Sequence, residues 1–125
     1  MAGTLTISTL SDGTNSTSST NCIQGSAKAW VNFNGTTSPG TIRAAFNVSS
    51  VTKNSTGNYT VNLTTAMSDT NYAVCTGGED QASSADRPLQ GPSSRAVSTS
   101  TFIMTTGSDS TTNLDWYHVY AAIFR

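Results

Sequence analysis

The chain has 125 residues, 19 of them Ser and 22 Thr, and only 10% are charged, against about 25% in typical soluble domains. Six Lys and Arg against seven Asp and Glu give a net charge of -1; no basic field exists to neutralise a nucleic-acid backbone, and no apolar run reaches the roughly 20 residues that span a bilayer. Apolar residues at 35% suffice for one small core around Trp30, Trp116, Phe33, Phe46, Phe102, Phe124 and four Tyr, and so small a core invites oligomerisation.

In chain order, the first residues lack both the basic and the continuous apolar regions of a secretory signal, so synthesis and release in a cytoplasm are expected. A strand is predicted over residues 5–10, followed by a Gly/Ser/Thr/Asn-rich link over 11–21. Residues 1–21 are thus read as arm and linker, and 22–125 as one domain. No window shows the helical period, and Thr, Ser, Asn and Gly form helices weakly. Period two appears instead: Ala27, Ala29, Val31 and Phe33 share a core face, while Lys28, Trp30, Asn32 and Asn34 share the other, leaving Trp30 in need of separate cover. Turn chemistry follows at Asn34-Gly35, Pro39-Gly40 and Thr56-Gly57-Asn58. Between these turns a strand is predicted over 42–48, and residues 54–58 read as a hairpin loop. Tyr59, Val61 and Leu63 then point inward, with Thr60, Asn62 and Thr64 outward.

Further short strands are predicted over 72–76, 95–97 and 101–105. Residues 77–94 hold Gly77-Gly78, most of the acidic residues, Pro88 and Pro92, and read as one long exposed loop, either functional or simply solvated. A second polar loop covers 107–113. The C-terminal strand, from Trp116 to Arg125, is apolar or aromatic on both faces. Such a strand is central in its sheet or buried against another subunit. The spacing of strands and turns suits an antiparallel β-sandwich.

Catalytic constellations are weak. His118, the single histidine, lies within the C-terminal strand, and Asp115, three residues away, falls on the opposite face of a strand. The carboxylates Glu79, Asp80 and Asp86 sit in the long loop, without the rigid, desolvated setting that glycoside hydrolysis needs. They could offer calcium hard oxygen ligands, but the EF-hand spacing is absent. Cys22 and Cys75 lack metal-ligand spacing, leaving a disulfide or free half-buried thiols. Six Asn-x-Ser/Thr triplets, at Asn15, Asn34, Asn47, Asn54, Asn58 and Asn62, reflect composition. No enzyme activity, metal or cofactor is expected. Trp30 and Tyr117, which break the alternation, are core or intersubunit fillers or, alternatively, platforms for a sugar ring.

Residues 27–35 (AKAWVNFNG), 42–51 (IRAAFNVSSV), 56–62 (TGNYTVN) and 66–74 (AMSDTNYAV), in this order, resemble a domain family of tailed bacteriophages. Its members sit at the distal, knob-like end of tail fibres or stand alone as short decoration-type virion proteins. The resemblance covers Ala27 to Val74. It implies an all-β, antiparallel, jelly-roll-like β-sandwich that forms a homotrimer and is structural or adhesive. The first expectation is a capsid decoration (cement) protein of the virion surface, with Trp116, Tyr117, Tyr120, Ile123 and Phe124 facing the trimer and Leu5, Ile7 and Leu10 facing the major capsid protein. The alternative is a tail-fibre receptor-binding knob that recognises a host surface polysaccharide through a loop carrying Glu79, Asp80, Asp86 and Arg87. Neither reading involves nucleic acid or membrane insertion.

Overall fold

Alternating burial organises the chain from Ala29 onward. A computed structural model describes residues 3–80, 90–108 and 112–125. Within β3 (Ala29–Asn34), Ala29, Val31 and Phe33 are buried, and within β6 (Asn58–Leu63), Tyr59, Val61 and Leu63 are buried. Both strands thus bury the faces that period two assigns to them. The hairpin before β6 forms, but the loop read over 54–58 shortens to Thr56 and Gly57, since β5 (Val48–Ser55) runs to Ser55 and pairs it with Asn58; Gly57 takes a φ of 62°.

The other strands are β4 (Thr41–Phe46), β7 (Ala73–Glu79), β8 (Gln90–Ala96), β9 (Thr101–Gly107) and β10 (His118–Phe124). They form two four-stranded antiparallel sheets, in the orders β4-β3-β10-β7 and β5-β6-β9-β8. One core joins them. Phe33 of the first sheet meets Tyr59 of the second edge to face, with ring centroids 5.2 Å apart, and Val51, Val61, Phe102, Met104, Val119, Ala121 and Ile123 fill the space around them. Close approach of the sheets explains Gly40, where a Cβ would stand 2.8 Å from Val51 Cγ1 and 3.1 Å from Phe33 Cδ2. The architecture is therefore all-β and antiparallel, apart from one short helix.

Several expectations need correction. The strand foreseen over residues 5–10 narrows to β1 (Thr9–Ser11), because only there does a partner exist, β2 (Ser16–Ser18). The supposed link thus contains a strand and the start of α1 (Ser19–Gly25), which straddles the boundary drawn at residue 21. That helix has no periodic apolar face; it forms locally, Ser18 capping it by accepting the Asn21 N–H at 3.1 Å. The strand foreseen over 42–48 breaks at Asn47, whose φ of 56° separates β4 from β5. The long loop is shortened from both ends, since Gly77, Gly78 and Glu79 pair with β10 and residues 90–96 pair with β9. Glycine and serine carry no burial signal, and their strand character comes from the neighbouring ladder.

Trp116 and Ile123 are each 1% exposed within a single chain. They belong to the protomer's own core and cannot meet another subunit. Trp116 packs over Gly78, where a Cβ would lie 2.7 Å from its Cε3, and its carbonyl accepts the Gly35 N–H at 2.9 Å. Among the described residues, no helix is long and apolar enough to cross a membrane.

Candidate assembly surface

The outer faces of the two sheets have opposite chemistry. On β5, β6, β9 and β8 the outward rows in register are Thr52, Thr60, Ile103 and Arg95, then Ser50, Asn62 and Thr101. Polar side chains bridge these strands: Asn62 Nδ2 donates to Ser50 Oγ at 3.0 Å, and Asn54 Nδ2 donates to Thr60 Oγ1 at 2.9 Å and to Asn58 Oδ1 at 2.8 Å. This is a wet face, as expected of an antiparallel sheet covered on one side.

Across β4, β3, β10 and β7 the outward rows read Phe46, Trp30, Ala122 and Cys75, then Ala44, Asn32, Tyr120 and Gly77. Phe46 is 55% exposed, Trp30 40%, Tyr120 39% and Tyr117 37%. Taking about 200 Å² for a full aromatic side chain, these four alone expose about 350 Å². That area falls within the range of the largest apolar patch on a typical monomer, and such patches are often functional. Half-buried Phe124 and exposed Ala73 extend the patch at one end.

The other end is more polar. Arg43, displaced outward by a bulge in β4, donates from Nη1 to the Tyr117 carbonyl at 2.8 Å, and its guanidinium lies 4.4 Å from that ring's centroid. The His118 ring sits edge-on to Tyr117 at 4.7 Å and stacks with Tyr120 at 6.1 Å. Asn32 Oδ1 and His118 Nδ1 are buried with no hydrogen-bond partner among the described residues. Trp116 Nε1, in the core, is unpaired in the same way, and buried polar atoms left unpaired cost stability.

Tyr117, Tyr120 and Phe124 therefore lie on one bare face, while Trp116 and Ile123 do not. Leu5, Ile7 and Leu10 are exposed, Leu5 to 81%, in the N-terminal segment. Glu79 is exposed at the end of β7 and Asp80 follows it, whereas Asp86 and Arg87 lie outside the described residues. Among the described residues, no three of His, Cys, Asp and Glu cluster as a metal site would require. Cys22 and Cys75 are free thiols, the second exposed on the aromatic face.

Asp115 is turned away from His118 and has other partners. Its Oδ1 accepts from the Gly57 N–H and the Tyr59 hydroxyl, each at 2.8 Å, and its Oδ2 pairs with Lys53 Nζ at 2.6 Å. Burial opposes its ionisation, but the Gly57 N–H, the Lys53 ammonium and the Tyr59 hydroxyl outweigh this and hold the carboxyl below its ordinary 3.8. Burial, then the bond to Asp115, pushes the Tyr59 hydroxyl well above its ordinary range. The cluster is a structural tie between the sheets.

Phe46, assigned to the core from the sequence, is 55% exposed and belongs to the outer face, because its strand parity sets it beside outward Trp30; the sequence gives no reading of Arg43 or Ile23 as surface contacts. Phe46 could have been found, because outward Trp30 needs a neighbour and the next strand offers this aromatic. Comparison with known proteins finds no match among family models, curated proteins or solved structures.

Proposed function

We propose that this chain is a non-enzymatic structural protein of a phage virion, a jelly-roll-like β-sandwich that assembles as a homotrimer and decorates the capsid as a cement protein. One observation supports the self-assembly: the outer face of one sheet exposes Trp30, Phe46, Tyr117 and Tyr120, while the outer face of the other carries mainly hydroxyls and amides, with Ile103 and Arg95. The virion assignment rests on the ordered blocks between Ala27 and Val74 that resemble phage virion domains. Cementing needs no catalytic group. A protein that binds only the assembled shell shifts the equilibrium against its rupture, through many weak contacts.

Quantitative mass spectrometry of purified virions against the major capsid protein tests the location. A copy number comparable with the capsid subunit supports the decoration role. A few copies per particle would overturn it in favour of a tail-fibre knob, with the segment beginning at Glu79 and Asp80 meeting a host polysaccharide. Sedimentation of the purified chain tests the trimer: a mass near the 13.0 kDa of a single chain would refute it.

A further inference from the structure

The N-terminal unit has folded geometry but no core. β1 and β2 pair around a turn in which Asp12 Oδ1 accepts the N–H groups of Thr14 and Asn15, at 2.9 and 2.7 Å, and Gly13 takes a φ of 94°. α1 follows at once. Between Gly3 and Ser26 only Ser19 and Cys22 are even half-buried. Leu5, Ile7, Leu10 and Ile23 are exposed and, with Cys22, line an open cleft of about 400 Å³. An isolated hairpin and a two-turn helix bury too little apolar surface to be stable alone. Its apolar side chains are left without cover in the single chain.

The same chain carries a surface of matching chemistry. The aromatic face exposes about 350 Å², roughly half of the 800 Å² that each partner contributes to a standard interface. The four exposed aliphatic side chains of a second copy's arm form the other side of such a contact and are of the same order of area. Signs of charge agree as well. Asp12 is the one charged residue before Lys28, and Arg43 is the cation on the aromatic face, with no ion pair among the described residues. Within one chain the two surfaces do not meet, since both stay exposed. The arm is also no free tether. The Lys28 ammonium binds the carbonyl oxygens of Ile23 and Ser26, and the Lys28 N–H donates to the Ile123 carbonyl at 2.7 Å, which fixes the end of α1 to the start of β3.

We propose that the N-terminal unit of one copy docks its side of Leu5, Ile7, Leu10 and Ile23 on the Trp30, Phe46 and Tyr120 face of a second copy. The assembly is then an exchange of arms, in which each copy both gives and receives a segment. This inference rests on the self-assembly reading above and assigns the aliphatic arm to a second copy, where the resemblance implied the capsid subunit.

The test uses the full chain in two variants. One carries Leu5→Ser, Ile7→Ser and Leu10→Ser on the arm; the other carries Trp30→Ser and Phe46→Ser on the face. All five positions are exposed, so both variants should keep the far-ultraviolet spectrum of the parent. Sedimentation should show an oligomeric parent and two monomeric variants. An equimolar mixture of the variants should regain a two-chain complex, because the intact arm of the second fits the intact face of the first. Should the double face variant fail to fold, Phe46→Ser alone takes its place. A monomeric parent would overturn both the self-assembly reading and this inference. An oligomer that survives the arm substitutions, or variants that remain monomeric when mixed, would overturn the arm exchange alone.

Discussion

Replacing Asp115 by asparagine keeps the shape of the side chain and removes its charge at the polar tie between the two sheets. Lys53 comes from β5, Tyr59 from β6 and Gly57 from the turn between them, while Asp115 precedes β10 in the other sheet. An amide oxygen still accepts from Gly57 and Tyr59, but the NH₂ group then faces the Lys53 ammonium, donor against donor. Hydrogen bonds to a charged group contribute about 1.5–3 kcal/mol each. The Lys53 and Asp115 side chains are only 15% and 23% exposed, so solvent cannot fully replace the lost pair. The expected loss is about 2–3 kcal/mol at pH 7, or about 8 °C in melting temperature for a domain of this size. Urea unfolding followed by the fluorescence of buried Trp116 measures it. The sign of the pH dependence is fixed as well. The folded carboxyl is held below 3.8 and the unfolded one titrates near its ordinary value of about 3.9. The stabilisation is therefore complete above that value and is lost as pH falls through the folded pKa. The gap between parent and variant should narrow steadily below about pH 4. Asp12 and Asp69, also held low by hydrogen bonds, are intact in both proteins and cancel. A variant as stable as the parent at pH 7, or a gap unchanged down to pH 2, would refute the reasoning.

Gly57→Ala places a Cβ 2.4 Å from the Thr106 carbonyl oxygen at a φ of 62°, so strain and collision add; a loss of about 3 kcal/mol is expected in chemical denaturation. Asn47→Ala removes the amide bonds to the carbonyls of Lys28 and Thr65, both 3.1 Å, and the bond accepted from the Thr65 N–H at 2.7 Å. It also leaves an alanine at a φ of 56°; it should cost about 2–3 kcal/mol in a melting experiment. Asn47→Gly should recover about 1 kcal/mol of this, the backbone part alone. Trp30→Ser should weaken association in sedimentation and cost the dilute, monomeric chain about 1–3 kcal/mol, since at 40% exposure the protomer already covers more than half of the ring; unchanged association would show that Trp30 lies outside the contact.

Legibility followed burial. β3 and β6 could be read residue by residue because each buries one face, and their alternation from Ala29 to Phe33 and from Tyr59 to Leu63 is the direct imprint of that core. The edge strands β7 and β8 hold Gly77, Gly78 and Ser94, whose small side chains record no face; β10 and β9 order them from outside. α1 owes its existence to the cap at Ser18, a local bond that a search for periodic apolar residues does not register. Trp116 was misplaced for a different reason. It precedes β10, so the alternation of that strand does not extend to it, and the space over Gly78 fixes it in the core. The contact of Lys53 with Asp115 joins positions 62 residues apart and becomes visible only once the sheets are assembled.

The contrast between the outer faces is an internal control on what the aromatic one means. This chain has an ample supply of hydroxyl side chains and places Thr52, Thr60 and Thr101, beside Ile103 and Arg95, at outward strand positions of the second sheet. Corresponding outward positions of the first sheet carry Phe46, Trp30 and Tyr120. Composition alone would have filled both faces alike. Side chains that favour contact with other apolar surfaces by about 25 cal/mol for each Å² buried are gathered on one side and left uncovered by the protomer. The molecule therefore has a direction: an aromatic side that gains by meeting another protein, and a hydroxyl side already matched to solvent. Under the proposed role on a virion surface, such a subunit would associate through the aromatic sheet and present the other.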